Sequence, residues 1–263
     1  MFQRIHLPSN GSLKYFPNNT ASNFKVKVPH LFESKDSRVG VDCALSQITF
    51  SNSYNNVRDG LNGVLIYNVN DDGSETVQQY RVPPGYYSDI DKLIHAIKEA
   101  VPPLADDLTR DKFKFGIGYD EMKQKTWVRV SLTFFVEFQL DIAKLLGFDA
   151  SVKIKRLTKE KRRQFSTYNA QVHGGSSIIF VYCDIIQNQL IAETSAPLLR
   201  ILNWNHAVKE QNISQTFSEL FYVPLNTLNF DTIHIYLLDT MGHPISFQDG
   251  HTYAVLEFRE KTN

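Results

Sequence analysis

Eight histidines and two cysteines are the side chains of this chain best suited to metal binding or nucleophilic catalysis. A zinc site needs ligands at short spacings, such as two histidines four residues apart beside a glutamate, or paired cysteines. No such spacing occurs among His6, His30, His95, His173, His206, His234, His243, His251, Cys43 and Cys183. Asp249 lies between His243 and His251, but polar residues are expected in turns and at strand edges. The sequence therefore predicts no metal site and no cofactor.

Nucleophile and phosphate motifs are also absent. There is no Gly-x-Ser-x-Gly, and the pair Gly116 and Gly118 lacks the third glycine and the following helix of a dinucleotide loop. Both cysteines lie in apolar, strand-like runs, which predicts buried thiols in a reducing compartment rather than a disulfide. Asp71 and Asp72 precede a glycine, where a turn favours aspartate. We therefore expect the protein not to be an enzyme.

One segment is strongly basic and is opposed only by Glu160. Its members are Lys153, Lys155, Arg156, Lys159, Lys161, Arg162 and Arg163. Charge runs usually face solvent, and a contact with packaged nucleic acid or an acidic partner is the alternative. No aromatic residues alternate with these charges, so base recognition is not expected. Because 28 basic residues balance 28 acidic ones, any nucleic-acid contact would be local.

Strand patterns dominate the rest of the chain. An Asp-Gly turn predicts a hairpin between 63–70 and 76–82. A helix is predicted after Ser88 as N-cap, with an apolar stripe along 90–97, and a second helix over 139–146 is expected to end at Gly147. Further strand-like runs are 24–28, 39–50, 112–119, 127–138, 178–184, 217–224, 232–238 and 252–259.

About ten strands with two short helices, which do not alternate regularly, predict an all-β protein. The fold class expected is a single jelly-roll β-sandwich with short helical insertions. Residues 1–23, rich in Ser, Asn and Pro, are expected to form an N-terminal arm, and 24–263 a single jelly-roll domain with helical and basic-loop insertions. We find no secretory signal and no apolar run long enough for a membrane-spanning segment.

Several phrases along nearly the whole chain, taken in order, resemble the minor capsid (penton-type) protein of Polinton/Maverick elements and adintovirus-like DNA viruses. They are Phe16-Pro17-Asn18-Asn19-Thr20, Asn23-Phe24, Val41-Asp42-Cys43-Ala44-Leu45-Ser46-Gln47-Ile48, Pro84-Gly85-Tyr86-Tyr87, Leu145-Leu146-Gly147-Phe148, Val181-Tyr182-Cys183-Asp184-Ile185-Ile186, Pro197-Leu198-Leu199-Arg200, Tyr222-Val223-Pro224-Leu225, Asp231-Thr232-Ile233 and the spaced Gly242, Pro244, Ile245, Phe247 and Gly250. The basic segment is not part of this pattern.

The resemblance implies a jelly-roll subunit that forms the pentameric vertex of an icosahedral shell, beside a double-jelly-roll major capsid protein. The partners implied are further copies of the chain, as a homopentamer, and that major capsid protein, with a weak contact to packaged DNA as a further expectation. The protein would then be located in the virion and assembled inside the host cell. A closed ring of this kind needs a head-to-tail interface between subunits.

Two other functions remain open from the sequence. A ligand- or glycan-binding β-sandwich would use an aromatic platform, for which the candidates are Tyr54, Tyr86, Tyr87, Trp127 and Trp204. A nucleic-acid packaging factor would act through the basic segment.

Overall fold

The structure, a computed structural model, describes residues 2–29, 40–70, 72–101, 115–131, 133–155, 163–172, 178–204 and 212–260. The chain divides into two compact units. The first unit comprises Met1–Tyr54 and Ser176–Asn263, and the second comprises Asn55–Gly175. The second unit is therefore a single insertion in the sequence of the first.

The described residues form eighteen strands and two helices. The strands are β1 (Phe2–Pro8), β2 (Asn23–Lys27), β3 (Val41–Ser51), β4 (Gly63–Val69), β5 (Glu75–Arg81), β6 (Phe115–Asp120), β7 (Lys125–Val130), β8 (Phe134–Phe138), β9 (Ile154–Lys155), β10 (Gln164–Phe165), β11 (Ile178–Cys183), β12 (Gln189–Ile191), β13 (Thr194–Ala196), β14 (Leu198–Asn203), β15 (Asn212–Thr216), β16 (Val223–Pro224), β17 (Thr232–Leu238) and β18 (Tyr253–Glu260). The helices are α1 (Ile90–Ala100) and α2 (Leu140–Leu146), and neither is long and apolar enough to cross a membrane.

The first unit contains a five-stranded sheet, with the order β1-β18-β3-β15 and with β16 also paired to β3, and a four-stranded sheet with the order β14-β11-β17-β2. All of these pairings are antiparallel. When the eight main strands are numbered along the chain, the orders become 1-8-3-6 and 5-4-7-2. This is the strand order of a jelly roll, a fold of eight antiparallel strands in which two Greek keys form two sheets. The jelly-roll fold class expected from the sequence is confirmed.

The jelly-roll core lies between the inward faces of these sheets. Buried and partly exposed residues alternate along β11 and β17, the pattern of strands with one face in the core. Phe24, Phe50 and Phe258 are fully buried or nearly so. Cys43 and Cys183 are buried free thiols, as predicted, and burial raises the pKa of both.

The second unit has its own core, between the sheets β5-β4-β8-β9 and β10-β7-β6 and the two helices. The predicted stripe of α1 buries Leu93, Ile94 and Ile97. Its N-cap is Asp89 instead of the predicted Ser88, because Asp89 Oδ1 accepts a hydrogen bond from the Lys92 amide at 2.8 Å. The expected hairpin is formed by β4 and β5.

Some expected boundaries differ from the structure. The run 127–138 is two strands, β7 and β8, which belong to different sheets. Of the run 217–224, only the two residues of β16 are in a strand. The arm expected at 1–23 contains β1, whose seven residues all pair with β18. The domain expected over 24–263 is interrupted by the second compact unit, whose bounds do not coincide with the basic segment.

Candidate assembly surfaces

The outward side of the sheet β14-β11-β17-β2 carries a row of aromatic side chains. Phe180 and Tyr182 of β11 lie next to Tyr236 and His234 of β17, at positions that alternate with the buried core residues. The rings of Tyr182 and Tyr236 stack with centroids 4.9 Å apart and planes 8° from parallel. Ile201 of β14 pairs with Phe180 and is 50% exposed. We call these five residues the aromatic face.

Partial burial sets the electrostatics of the aromatic face. It raises the pKa of Tyr182 and Tyr236, so both phenols remain neutral. Burial lowers the pKa of His234; Asp184 opposes this shift and Lys25 adds to it. His234 Nε2 lies 2.6 Å from Asn23 Oδ1, an oxygen that accepts, so the ring donates in the tautomer that carries a proton on Nε2. The face is thus mostly uncharged and apolar, which suits burial against another protein surface.

The outward side of the other sheet, β1-β18-β3-β15, has a different chemistry. Arg4 Nε donates to Glu257 Oε2 at 2.7 Å, and the hydroxyl of Tyr222 donates to Glu257 Oε1 at 2.7 Å. The Arg259 guanidinium lies 3.7 Å from the centroid of the Tyr222 ring and 3.4 Å from Asp42 Oδ2. We call these five residues the charged face.

Most of the polar groups on the charged face have partners within the same chain. Glu257 is only 7% exposed, and the hydrogen bonds from Tyr222 and Arg4 lower its pKa. One exception is Asp42 Oδ1, which is buried and accepts no hydrogen bond from a described residue. Burial of such a face against a second protein contributes little binding free energy, because the paired charged groups lose hydration without forming new ion pairs.

The structure describes three members of the basic segment, and two of these have internal partners. Lys153 Nζ lies 2.6 Å from Glu75 Oε2 and 4.1 Å from the Tyr67 ring centroid. Arg163 stacks on Trp127 at 4.2 Å. Lys155 is exposed at the end of β9. The other members, Arg156, Lys159, Lys161 and Arg162, lie outside the described residues.

Two of the five residues of the candidate glycan platform are core side chains. Tyr54 and Trp204 are buried, at 6% and 4% exposure, and their rings meet edge to face at 4.4 Å in the first unit. Tyr86, Tyr87 and Trp127 belong to the second unit and are partly buried. Trp204 also donates from Nε1 to Asn52 Oδ1 at 2.6 Å. The sequence signal failed here because aromatic content alone does not distinguish core from surface.

Within the described ranges, no three His, Cys, Asp or Glu side chains are grouped so that they could hold a metal ion. His243 and Asp249, part of the local cluster weighed in the sequence, take separate local partners: His243 contacts Asp239 at 3.6 Å, and Asp249 accepts a hydrogen bond from Ser51 at 3.3 Å. The arrangement of these side chains favours turn stabilisation over catalysis.

Sequence reasoning missed the aromatic face as a site, although it located β11 and β17. A usable signal was present. In 178–183 the residues on both sides of the strand are apolar, whereas a strand that faces solvent on one side alternates with polar residues.

No protein-family model and no curated protein matches the chain. Solved structures with some similarity include the mavirus penton protein, at 13% identity and a TM-score of 0.47, over 99% of each chain. The Sputnik virophage, solved by cryo-EM, includes a chain with 8% identity and a TM-score of 0.38, over 99% of this chain and 98% of that one. The jelly-roll assignment follows from the strand order of the chain itself.

Proposed function

We propose that the chain is a structural capsid protein that forms the vertex of an icosahedral double-stranded DNA virus or Polinton-type particle, as a homopentamer. The observation that carries this proposal is the complete jelly-roll strand order of the first unit. Jelly rolls also occur in lectins and other binding proteins, so the fold alone leaves several functions open. The ordered penton-like phrases of the sequence favour the capsid vertex among them.

The location of these phrases supports the same proposal. Val41–Ile48 lies in the central strand β3, and Val181–Cys183 lies in β11, the neighbour of β17. Pro197–Arg200 leads into β14, and Asp231–Ile233 leads into β17. These four phrases therefore lie in or lead into strands that define the jelly roll, whereas Pro84–Tyr87 and Leu145–Phe148 lie in the second unit.

A comparison of the two outward faces supports one surface of the proposed ring contact. A head-to-tail ring needs two unlike surfaces on each subunit. We assign one of them to the aromatic face, whose stacked Tyr182 and Tyr236 are neutral and only partly buried. The double-jelly-roll major capsid protein is the second partner of the proposal, and the particle is assembled inside the host cell.

The contact with packaged DNA through the basic segment stays a prediction. Lys153 and Arg163 have internal partners, which favours a structural role for these two side chains. Charge neutralisation of Arg162 and Arg163 together tests the prediction. We expect a smaller salt dependence of DNA retention in the variant, and an unchanged salt titration contradicts the DNA contact.

Native mass spectrometry and negative-stain electron microscopy of the purified full chain test the vertex proposal. We expect closed rings of five copies. A strictly monomeric protein at high concentration, in buffers of low, physiological and high salt, contradicts the proposal.

A further inference from the structure

Among the residues that the structure describes, no second strand pairs with β5, so this strand is an open edge of the second unit. It lies at one end of the sheet order β5-β4-β8-β9, and six of its seven residues are exposed. Its register with β4 is continuous over all seven pairs, without a bulge. An exposed edge strand presents a row of unpaired backbone groups to which another strand can add.

The usual protections of an edge are missing from β5. Natural edges are shortened, bent by a bulge, or blocked by proline or lysine. Three of the other edges show such protection: β2 carries Lys25 and Lys27, and β9 and β10 are two residues long. By contrast, β5 has no proline or lysine and no charge between Glu75 and Arg81.

The hydrogen bonds of the hairpin determine which backbone groups of β5 face outward. The Val82 amide donates to Asn62 O at 3.0 Å, and the Asn70 amide donates to Ser74 O at 2.9 Å. Because hydrogen-bonded positions alternate in an antiparallel pair, the even-numbered residues of β5 bond to β4. The backbone groups of Glu75, Val77, Gln79 and Arg81 therefore point away from the sheet.

The sequence of β5 is complementary to itself in one antiparallel register. With a two-fold axis at Gln78, Glu75 lies opposite Arg81 of the second copy, and Val77 lies opposite Gln79. All four outward-facing residues then fall in hydrogen-bonded pairs, and the two charge pairs have opposite signs. Any other antiparallel register leaves at least one of these charges without its counterpart.

Both terminal side chains are available for this pairing. Arg81 is exposed and forms no ion pair with a described residue. Glu75 uses Oε2 for its salt bridge to Lys153 at 2.6 Å, so Oε1 can accept from a second cation. Val77 is 53% exposed and would be covered by the added strand.

We propose that β5 pairs antiparallel with β5 of a second copy of this chain, in the register centred on Gln78, so that two second units share one continuous sheet. This contact is two-fold symmetric and independent of the head-to-tail ring. It joins two free subunits or two rings, and it does not rest on the vertex proposal.

Proline at position 77 tests the contact. The Val77 amide points outward, so V77P removes an intermolecular donor without removing a hydrogen bond to β4. The matched control is V77T, which keeps the amide and a β-branched side chain. In sedimentation equilibrium of the full chain we expect V77P to halve the largest mass and V77T to retain it, with unchanged circular dichroism. A V77P mass equal to that of the wild type overturns the proposal.

Charge reversal tests the register. We expect R81E to weaken the two-fold association at least tenfold and the double variant E75R/R81E to restore it to within about threefold. Hydrogen exchange adds a site-specific measurement: the amides of Val77 and Gln79 should slow at high protein concentration. A double variant as weak as R81E, or exchange independent of concentration, overturns the proposal. Rings that persist in V77P while the paired species is lost separate this contact from the ring contact.

Discussion

The two outward faces of the jelly roll differ in the contacts that their side chains form within the chain. On the charged face, Glu257 accepts hydrogen bonds from both Arg4 and Tyr222 within the same chain. On the aromatic face, Tyr182 and Tyr236 stack on each other, with ring planes 8° from parallel. We therefore expect the first face to stabilise the subunit, and the second to favour association when its apolar surface is buried.

This difference follows from the cost of desolvation. Burial of a paired, hydrogen-bonded ion against a second protein yields little, because hydration is lost without a new partner. Burial of a neutral aromatic ring releases about 25 cal/mol per Å² of apolar surface. The comparison therefore predicts that substitutions on the aromatic face alter assembly, and that those on the charged face alter subunit stability.

The largest effect is expected from Tyr236→Asp. The substitution places an ionised carboxylate among the aromatic side chains, and this carboxylate must lose its hydration when subunits associate. We therefore expect association to be at least about 30-fold weaker, a loss of ~2 kcal/mol of association free energy. Native mass spectrometry should show monomers. The matched control is Tyr253→Asp, at a 38% exposed tyrosine on the other sheet. Intact rings in Tyr236→Asp would remove the aromatic face from the ring contact.

Glu257→Gln is expected to lower the free energy of unfolding of the first unit by about 1–3 kcal/mol, because a buried carboxylate accepts two hydrogen bonds. The Arg4 side chain is 68% exposed, so its ion pair contributes only a small part of this value. Each unit contains one tryptophan, so urea unfolding followed by Trp204 fluorescence in a Trp127→Phe background reports on the first unit. Glu193→Gln, at an exposed position, is the control. Loss of rings without loss of stability would reverse the roles of the two faces.

Histidine protonation is expected to weaken assembly moderately. Burial lowers the pKa of His234 below its usual value of about 6.5, because the charged ring is desolvated. Further burial of the ring in a subunit contact disfavours the protonated form again, so association is strongest while the ring is neutral and weakens as the pH falls through the pKa of the free subunit. Asn23, Lys25, Asp184 and Tyr236 surround the ring. We expect association several-fold weaker at about pH 5.5 than at about pH 7.5, and no such change in His234→Gln.

Asp184 is the other titrating group near this histidine, and burial raises its pKa. Asp184→Asn therefore separates the two contributions. If the pH dependence persists in His234→Gln and vanishes in Asp184→Asn, the carboxylate is the group that controls assembly.

The fold was predictable where local chemistry determines it. The Asp-Gly turn located the hairpin of β4 and β5, and the apolar stripe located α1. The prediction of one strand over 127–138 was wrong, since β7 and β8 are both strand-forming and separate only at a turn that begins at Ser131. Pairing between distant segments, such as β1 with β18, leaves no local signal.

The candidate site was less predictable than the fold. The histidines, cysteines and basic residues were candidates because of their chemical type, yet Cys43 and Cys183 are core side chains. The proposed assembly depends on two properties of a residue. The first is the side of the strand on which its side chain lies, and the second is whether neighbouring side chains already provide its hydrogen bonds or ion pairs. Sequence alternation gives the first, but the second requires partners that are distant in sequence, as Tyr222 is from Glu257.

The smallest effect is expected from Lys27→Ala, at the β2 edge of the same sheet as the aromatic face. Lys27 Nζ lies 2.9 Å from Asp231 Oδ2, but the two side chains are 45% and 48% exposed. Solvent and salt screen such a pair, so we expect a change below about 0.5 kcal/mol in unfolding and no change in ring mass. Urea unfolding and native mass spectrometry at low and high salt check this. Disruption of the rings by Lys27→Ala would mean that charge at the sheet edge, and not the aromatic rings, holds neighbouring subunits together.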